Sequence, residues 1–326
     1  MDKKTKWILA CSSITVGALA LGAAASYLVA KKMVKIALDR EEPKAIGRSK
    51  EIITGNQNIE ATLKFQSQIA KKLECLNLET VEMKASDGTT LVGHLYRAEN
   101  PKRTIVAMHG WRSSWSKDFG LVADFWLPNG CNVIFAEQRA HGQSGGDHMG
   151  FGVIERFDCL DWINWVKNSE FKDTPLYLAG ISMGATTVLM TAGFDIKGKV
   201  NGIMADCGFT SPHSIWKHIA NKNMHINYNG IYSSIVNDYC KKKLNFGPKD
   251  YSTLEAMRNC EVPVLFFHGT DDKFVPVQMT FENYKACRAP KQLFIVPGAE
   301  HGMSYVIETE KYQNKVLKFW EEFDKT

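Results

Sequence analysis

From about residue 80 onward one unit recurs along the chain: a short run of apolar, β-branched residues bounded by Gly, Pro or Asn, then a longer amphipathic stretch. The runs are Thr104 to Met108, Asn132 to Ala136, Leu176 to Gly180, Gly202 to Ala205, Val264 to Phe267 and Gln292 to Val296. Continuous apolar strands of this length suit a sheet covered on both faces, which is the environment of parallel strands. Between them, Phe157 to Val166 and Val306 to Phe319 carry helical spacing. Two earlier strands, Thr80 to Ala85 and Thr89 to Arg97, are joined through Ser86-Asp87-Gly88, whose Asp-Gly favours a tight hairpin turn. The expected class is α/β: an eight-stranded, mostly parallel, doubly wound sheet with helices on both faces. The interval from Cys207 to Val262 is too long for one crossover and holds helical pieces near Ser211 to Ala220 and Ile231 to Lys243. It is expected to be a helical lid, at about 207–260, inserted over the strand ends.

The rest of the 326-residue chain is read around this domain. With 44% hydrophobic and 23% charged residues the composition is that of an ordinary globular protein. The net charge of +5 arises from 40 basic and 35 acidic residues spread along the sequence, too mild and too mixed for a nucleic-acid partner. Lys241 to Lys243 reads as a solvated helix end. Eight cysteines occur without any C-x-x-C pair, so a metal site is not expected, and the seven beyond the N-terminal segment suit free thiols and a reducing setting.

Residues Trp7 to Ala30 carry no charge, and as a helix they reach roughly 36 Å, enough for a hydrocarbon core of about 30 Å. Residues 1–32 are therefore expected to be a single-pass membrane anchor. Lysines flank both ends, so neither side of the membrane is selected. The alternative is a cleaved signal sequence leading to secretion, since Ala23, Ala24 and Ala25 resemble a processing site. A helical connector over 33–78, broken near Gly55-Asn56, leads to the domain at 79–326.

Chemistry enters with Gly180-Ile181-Ser182-Met183-Gly184, which closes the Leu176 to Gly180 run and opens a helix near Ala185. This is G-x-S-x-G in its strand-turn-helix setting. So sharp a turn leaves no room for side chains two positions either side of the serine, which accounts for Gly180 and Gly184, and it lifts Ser182 Oγ to a helix N-terminus. Serine is a weak nucleophile that needs a base, itself oriented by a carboxylate. The amide after the nucleophile, that of Met183, is positioned for a developing oxyanion.

Further stretches line up in order: His109-Gly110-Trp111, Arg139 to Ser144, His268 to Pro276, and Gly298-Ala299-Glu300-His301-Gly302. Together they resemble the α/β-hydrolase superfamily over roughly 78–326, in particular serine esterases, lipases and prolyl-peptidase-like members of membrane-anchored bacterial type. The resemblance implies the α/β-hydrolase fold and the order nucleophile, acid, base. It places the base at His301 and aligns the acid with Asp272 rather than its neighbour Asp271, with Asp206 a weaker third carboxylate. It also implies a second oxyanion donor at Trp111, although the sequence departs here from the H-G-G-G form of many lipases. His109, His141 and His268 read as structural or site-lining.

The function expected is hydrolysis of a carboxylic ester, thioester or lipid acyl bond through an acyl-enzyme, with a small or lipid-like acyl substrate and no cofactor. A prolyl-peptidase-type amidase shares every residue named, and a non-catalytic membrane-tethered binding module is the alternative outside enzymology. Dinucleotide, P-loop and H-E-x-x-H signatures are missing from the sequence.

Overall fold

The computed structural model describes residues 26–41, 50–56, 59–228 and 230–325. Eight strands form one sheet in the order β1-β2-β4-β3-β5-β6-β7-β8. They are β1 (Glu79–Lys84), β2 (Thr90–Tyr96), β3 (Arg103–Met108), β4 (Cys131–Glu137), β5 (Leu176–Ile181), β6 (Gly202–Asp206), β7 (Val264–Gly269) and β8 (Lys291–Val296). The hairpin β1-β2 is antiparallel and β2 runs antiparallel to β4. Every other neighbour is parallel. This is the eight-stranded, mostly parallel sheet that the strand pattern predicts, in the α/β-hydrolase fold that the resemblance implies.

The strand runs are continuous in sequence because each feeds two cores. Side chains alternate across a strand, so Val106 and Met108 of β3 enter one core while Ile105 and Ala107 enter the other. Leu178 and Ala179 of β5, and Phe266 and Phe267 of β7, divide in the same way. One face is covered by α5 (Glu155–Lys167), α6 (Met183–Thr191), α9 (Thr253–Asn259) and α10 (Val277–Ala286). The other is covered by α4 (Trp115–Trp126) and α12 (Thr309–Phe323), preceded by the short α11 (Ser304–Ile307). Tyr312, Val316, Phe319, Trp320 and Phe323 of α12 repeat at intervals of three and four, and all are buried in this second core.

Between β6 and β7 the chain forms α7 (Pro212–His218), one π-helical turn (Ile219–Asn223) and α8 (Gly230–Leu244) before α9 rejoins the body. These elements enclose a third apolar cluster, and its other wall comes from the N-terminus. There a helix α1 spans 26–38, followed by α2 (Lys50–Thr54) and α3 (Ile59–Glu74).

The expected membrane-spanning helix is corrected here. Residues 7–25 of it lie outside the described residues, and among those described no helix is long and apolar enough to cross a membrane. Its last residues begin α1, which continues through Lys31, Lys32 and Lys35. Ala30, Val34 and Leu38, spaced by four, are each no more than 2% exposed and face the domain. A stripe of that spacing on a helix bearing charges elsewhere is an amphipathic face held by protein. A single-pass anchor, and a membrane partner reached through it, are therefore not supported.

Candidate active site

Ser182 sits between β5 and α6 with φ 56° and ψ −116°, a left-handed backbone that a side chain adopts only under strain. The neighbouring chain over-determines it: Ser182 N donates to Asp206 O at 2.9 Å and Ser182 O accepts from Thr186 N at 3.0 Å. The two flanking glycines are explained by space. A Cβ on Gly184 would lie 1.8 Å from Met108 O, and one on Gly180 would lie 2.3 Å from Gly184 O. No bulkier residue fits without moving β3 or β5.

Asp272 and His301 come from the loops after β7 and β8. His301 Nδ1 and Asp272 Oδ2 are 2.7 Å apart. Asp272 is held on every side: Oδ1 accepts from Phe274 N (2.9 Å) and Val275 N (2.8 Å), and Oδ2 also meets His268 Nε2 at 3.1 Å. Burial alone would raise its pKa, but the charge of His301 and the hydrogen bonds from both histidines hold the carboxyl well below its ordinary value. His301 shows the converse. Burial works against its charged form, yet the Asp272 carboxylate overrides this and lifts the imidazole above its ordinary value. Asp271 is exposed and accepts only from Thr270 Oγ1, at 2.8 Å, so it is Asp272 that meets the imidazole. Asp206 accepts from Ser304 Oγ at 3.1 Å, and burial lifts its pKa to about 6.

Ser182 and His301 line one cleft of about 350 Å³, together with Gly110, Trp111, Phe274 and Tyr305. No direct hydrogen bond joins Ser182 Oγ to the imidazole. The Cys207 sulfur lies within 4.8 Å of both the Asp272 carboxylate and a His301 ring nitrogen. Burial pushes its thiol up to about 11, so it stays protonated near neutrality.

The loop after β3 is tied down residue by residue. Gly110 N donates to Asp118 Oδ2 at 2.6 Å, and Ser113 Oγ donates to Asp118 Oδ1 at 2.6 Å. His141 accepts from Arg112 N through Nε2 (3.1 Å) while Nδ1 donates to Arg139 O (2.9 Å). His109 uses Nδ1 on Gly110 O (2.8 Å) and accepts from Gln138 N at 3.2 Å. Burial lowers the pKa of His109 to about 4 and that of His141 to about 3, so both are neutral braces. With Gly110 N committed to Asp118, the amides of Trp111 and Met183 are left without protein acceptors among the described residues.

Asp118 and the cleft-lining helices α2 and α3 are not singled out by sequence. Asp118 lies in the first turn of α4 behind the cap Ser114, where an acid is ordinary, so its signal is that of a helix start. Isolated apolar residues in α3 among many charges do not announce that Leu63, Phe65 and Ile69 face the cleft.

Known proteins are similar to this chain in sequence and in fold. Residues 99–235 match the family model of serine aminopeptidase, S33. The esterase Pf2001 of Pyrococcus furiosus superposes with a TM-score of 0.64, covering 78% of this chain and 94% of its own, at 21% identity. The chain has the α/β-hydrolase fold. A second similar structure is Est1E from Butyrivibrio proteoclasticus, solved with ferulic acid bound, with a TM-score of 0.61 at 18% identity over 76% of this chain and all of its own. The uncharacterized protein YqkD of Bacillus subtilis (strain 168) is 28% identical over 235 residues, 71% of this chain and 75% of the relative. The matched family region contains Ser182 and stops before Asp272 and His301.

Proposed function

We propose that this hydrolase cleaves carboxylic esters through an acyl-enzyme formed on Ser182. The observation that carries the reading is the 2.7 Å contact between His301 and a fully tied Asp272, in the loops that border the cleft of the strained Ser182 turn. Asp272 fixes the imidazole with its proton on Nδ1, which leaves Nε2 as the base. A rotation of the serine side chain brings Oγ to Nε2, since such contacts tighten on substrate binding.

Ser182 Oγ then adds to the substrate carbonyl carbon as its proton passes to His301 Nε2. The carbonyl electron pair moves onto oxygen, where the Met183 and Trp111 amides stabilise it. Collapse breaks the ester C–O bond, and the departing alkoxide takes the proton from His301. Water repeats the sequence on the acyl carbon, with His301 as base, and returns the proton to Ser182. A thioester follows the same steps with a thiolate leaving group.

The test is labelling by a small fluorophosphonate and turnover of p-nitrophenyl butyrate. Ser182→Ala is expected to lose both without loss of thermal stability. A wild-type chain that neither labels nor turns over would remove the reading.

A second reading, an aminopeptidase, is favoured by the description of the matching family model and by two carboxylates, Asp271 and Glu300, that line the cleft where a substrate ammonium could bind. Turnover of alanine p-nitroanilide above that of the matched ester would select it.

A further inference from the structure

A second cavity, of about 70 Å³, lies behind the cleft between α1, α7 and α8. Met33, Val34 and Ala37 of α1 form one wall, with Phe151, Trp216 and Val236 opposite, and no charged side chain lines it. Ile53, Trp111 and Phe274 line both this cavity and the cleft of Ser182, so the two adjoin at these side chains. Phe274 packs edge-on to His301 at 5.0 Å between ring centroids. Trp216 keeps its indole N–H buried without a hydrogen-bond partner among the described residues, so the wall is incompletely satisfied as it stands.

The wall built by α1 is fastened to the loop that carries Trp111. Trp111 Nε1 donates to Ala37 O at 2.8 Å, and Arg112 Nη2 donates to Ile36 O and Asp39 O, both at 2.7 Å. The last carbonyls of a helix have no partner within it, and a guanidinium satisfies them while opposing the helix dipole. From Ser182 the cavity therefore begins at Trp111 and is closed by a helix outside the region shared with the family model.

We propose that this cavity receives the acyl chain of the substrate and that α1 sets its length. This rests on the ester-hydrolase reading above. A water-sized site takes roughly 10–15 Å³, so the space holds about five or six methylene-sized groups. The substrate class is then an unbranched, uncharged acyl ester of about six to eight carbons, because a charge carried into these walls would find no partner.

The experiment measures kcat/KM for p-nitrophenyl esters from acetate to palmitate on the full chain and on Val34→Phe, which fills the cavity from α1. Wild type is expected to gain about fourfold per methylene up to hexanoate or octanoate and then to fall. Val34→Phe is expected to lower the octanoate-to-acetate ratio at least 30-fold. Ala37→Leu, from the same wall, serves if the melting temperature shows that Val34→Phe does not fold. Fluorophosphonate labelling with an unchanged ratio in the folded variant, or a wild-type optimum at acetate, overturns the acyl-chain assignment alone. Failure of the wild type to label overturns the ester reading and this assignment with it.

Discussion

At Asp272 and His301 the two ionisations lean on each other, and this gives the pH dependence of both rate and stability. Ester hydrolysis needs His301 neutral. Its pKa is raised by Asp272, so kcat/KM is expected to increase with pH through a midpoint above the ordinary histidine value of about 6.5. Asp272→Asn should move that midpoint down and reduce kcat about 10⁴-fold, because the imidazole loses the partner that fixes its tautomer; a pH-rate profile of both proteins checks it. For stability the signs differ. The depressed Asp272 stabilises the fold above its unfolded pKa of about 3.9, and this is lost as pH falls through its lower folded value. The raised His301 stabilises below about 6.5, and this is lost as pH climbs through its higher folded value. Space decides the glycines of the elbow. Gly184→Ala drives a Cβ to 1.8 Å from a backbone oxygen, whereas at Gly298, φ +74°, nothing lies within 4 Å. Urea unfolding should show Gly184→Ala costing about 3 kcal/mol and Gly298→Ala only about 1–2 kcal/mol, the strain of a left-handed residue.

Among the elements, the loop after β3 depends on the first turn of α4. Asp118 accepts from Gly110 N and Ser113 Oγ, and so holds the backbone on either side of Trp111. Asp118→Ala is expected to lower kcat about 10²-fold, in the range for losing one oxyanion donor, while KM for a short ester changes little. A purely structural role would instead move the melting temperature and leave kcat of the folded fraction intact. The same loop grips α1 through Arg112, so one segment joins the N-terminal helix to the reacting centre. Elements of this kind were only partly legible. The Gly-Ile-Ser-Met-Gly turn has a local cause, steric exclusion, and could be read directly. The partner of Gly110 has none, since an acid at a helix start reads equally as a dipole effect.

Across the whole molecule, α12 closes one face of the sheet. Trp320 is 1% exposed and stacks on Phe125 at 5.5 Å, while the Arg103 guanidinium lies 4.2 Å from its ring centroid. Arg103 in turn pairs with Asp324 at 2.7 Å, which binds the end of α12 to β3. Trp320→Ala is expected to cost about 3–5 kcal/mol, read as a fall of roughly 10 °C in melting temperature. The active-site loops lie at the other edge, so catalysis by the folded fraction should persist.

The sequence by itself determined the sheet and the sharp glycine-flanked turn at Ser182, because strand burial on two faces and the space around a sharp turn are local and leave a regular imprint. Only the tertiary structure decided that Asp118 braces the loop after β3, and that the end of the apolar N-terminal segment lies against Trp111 and the helices between β6 and β7. These are contacts between residues distant in the chain. A stretch of apolar residues records that it avoids water, and it does not record whether lipid or protein takes its place.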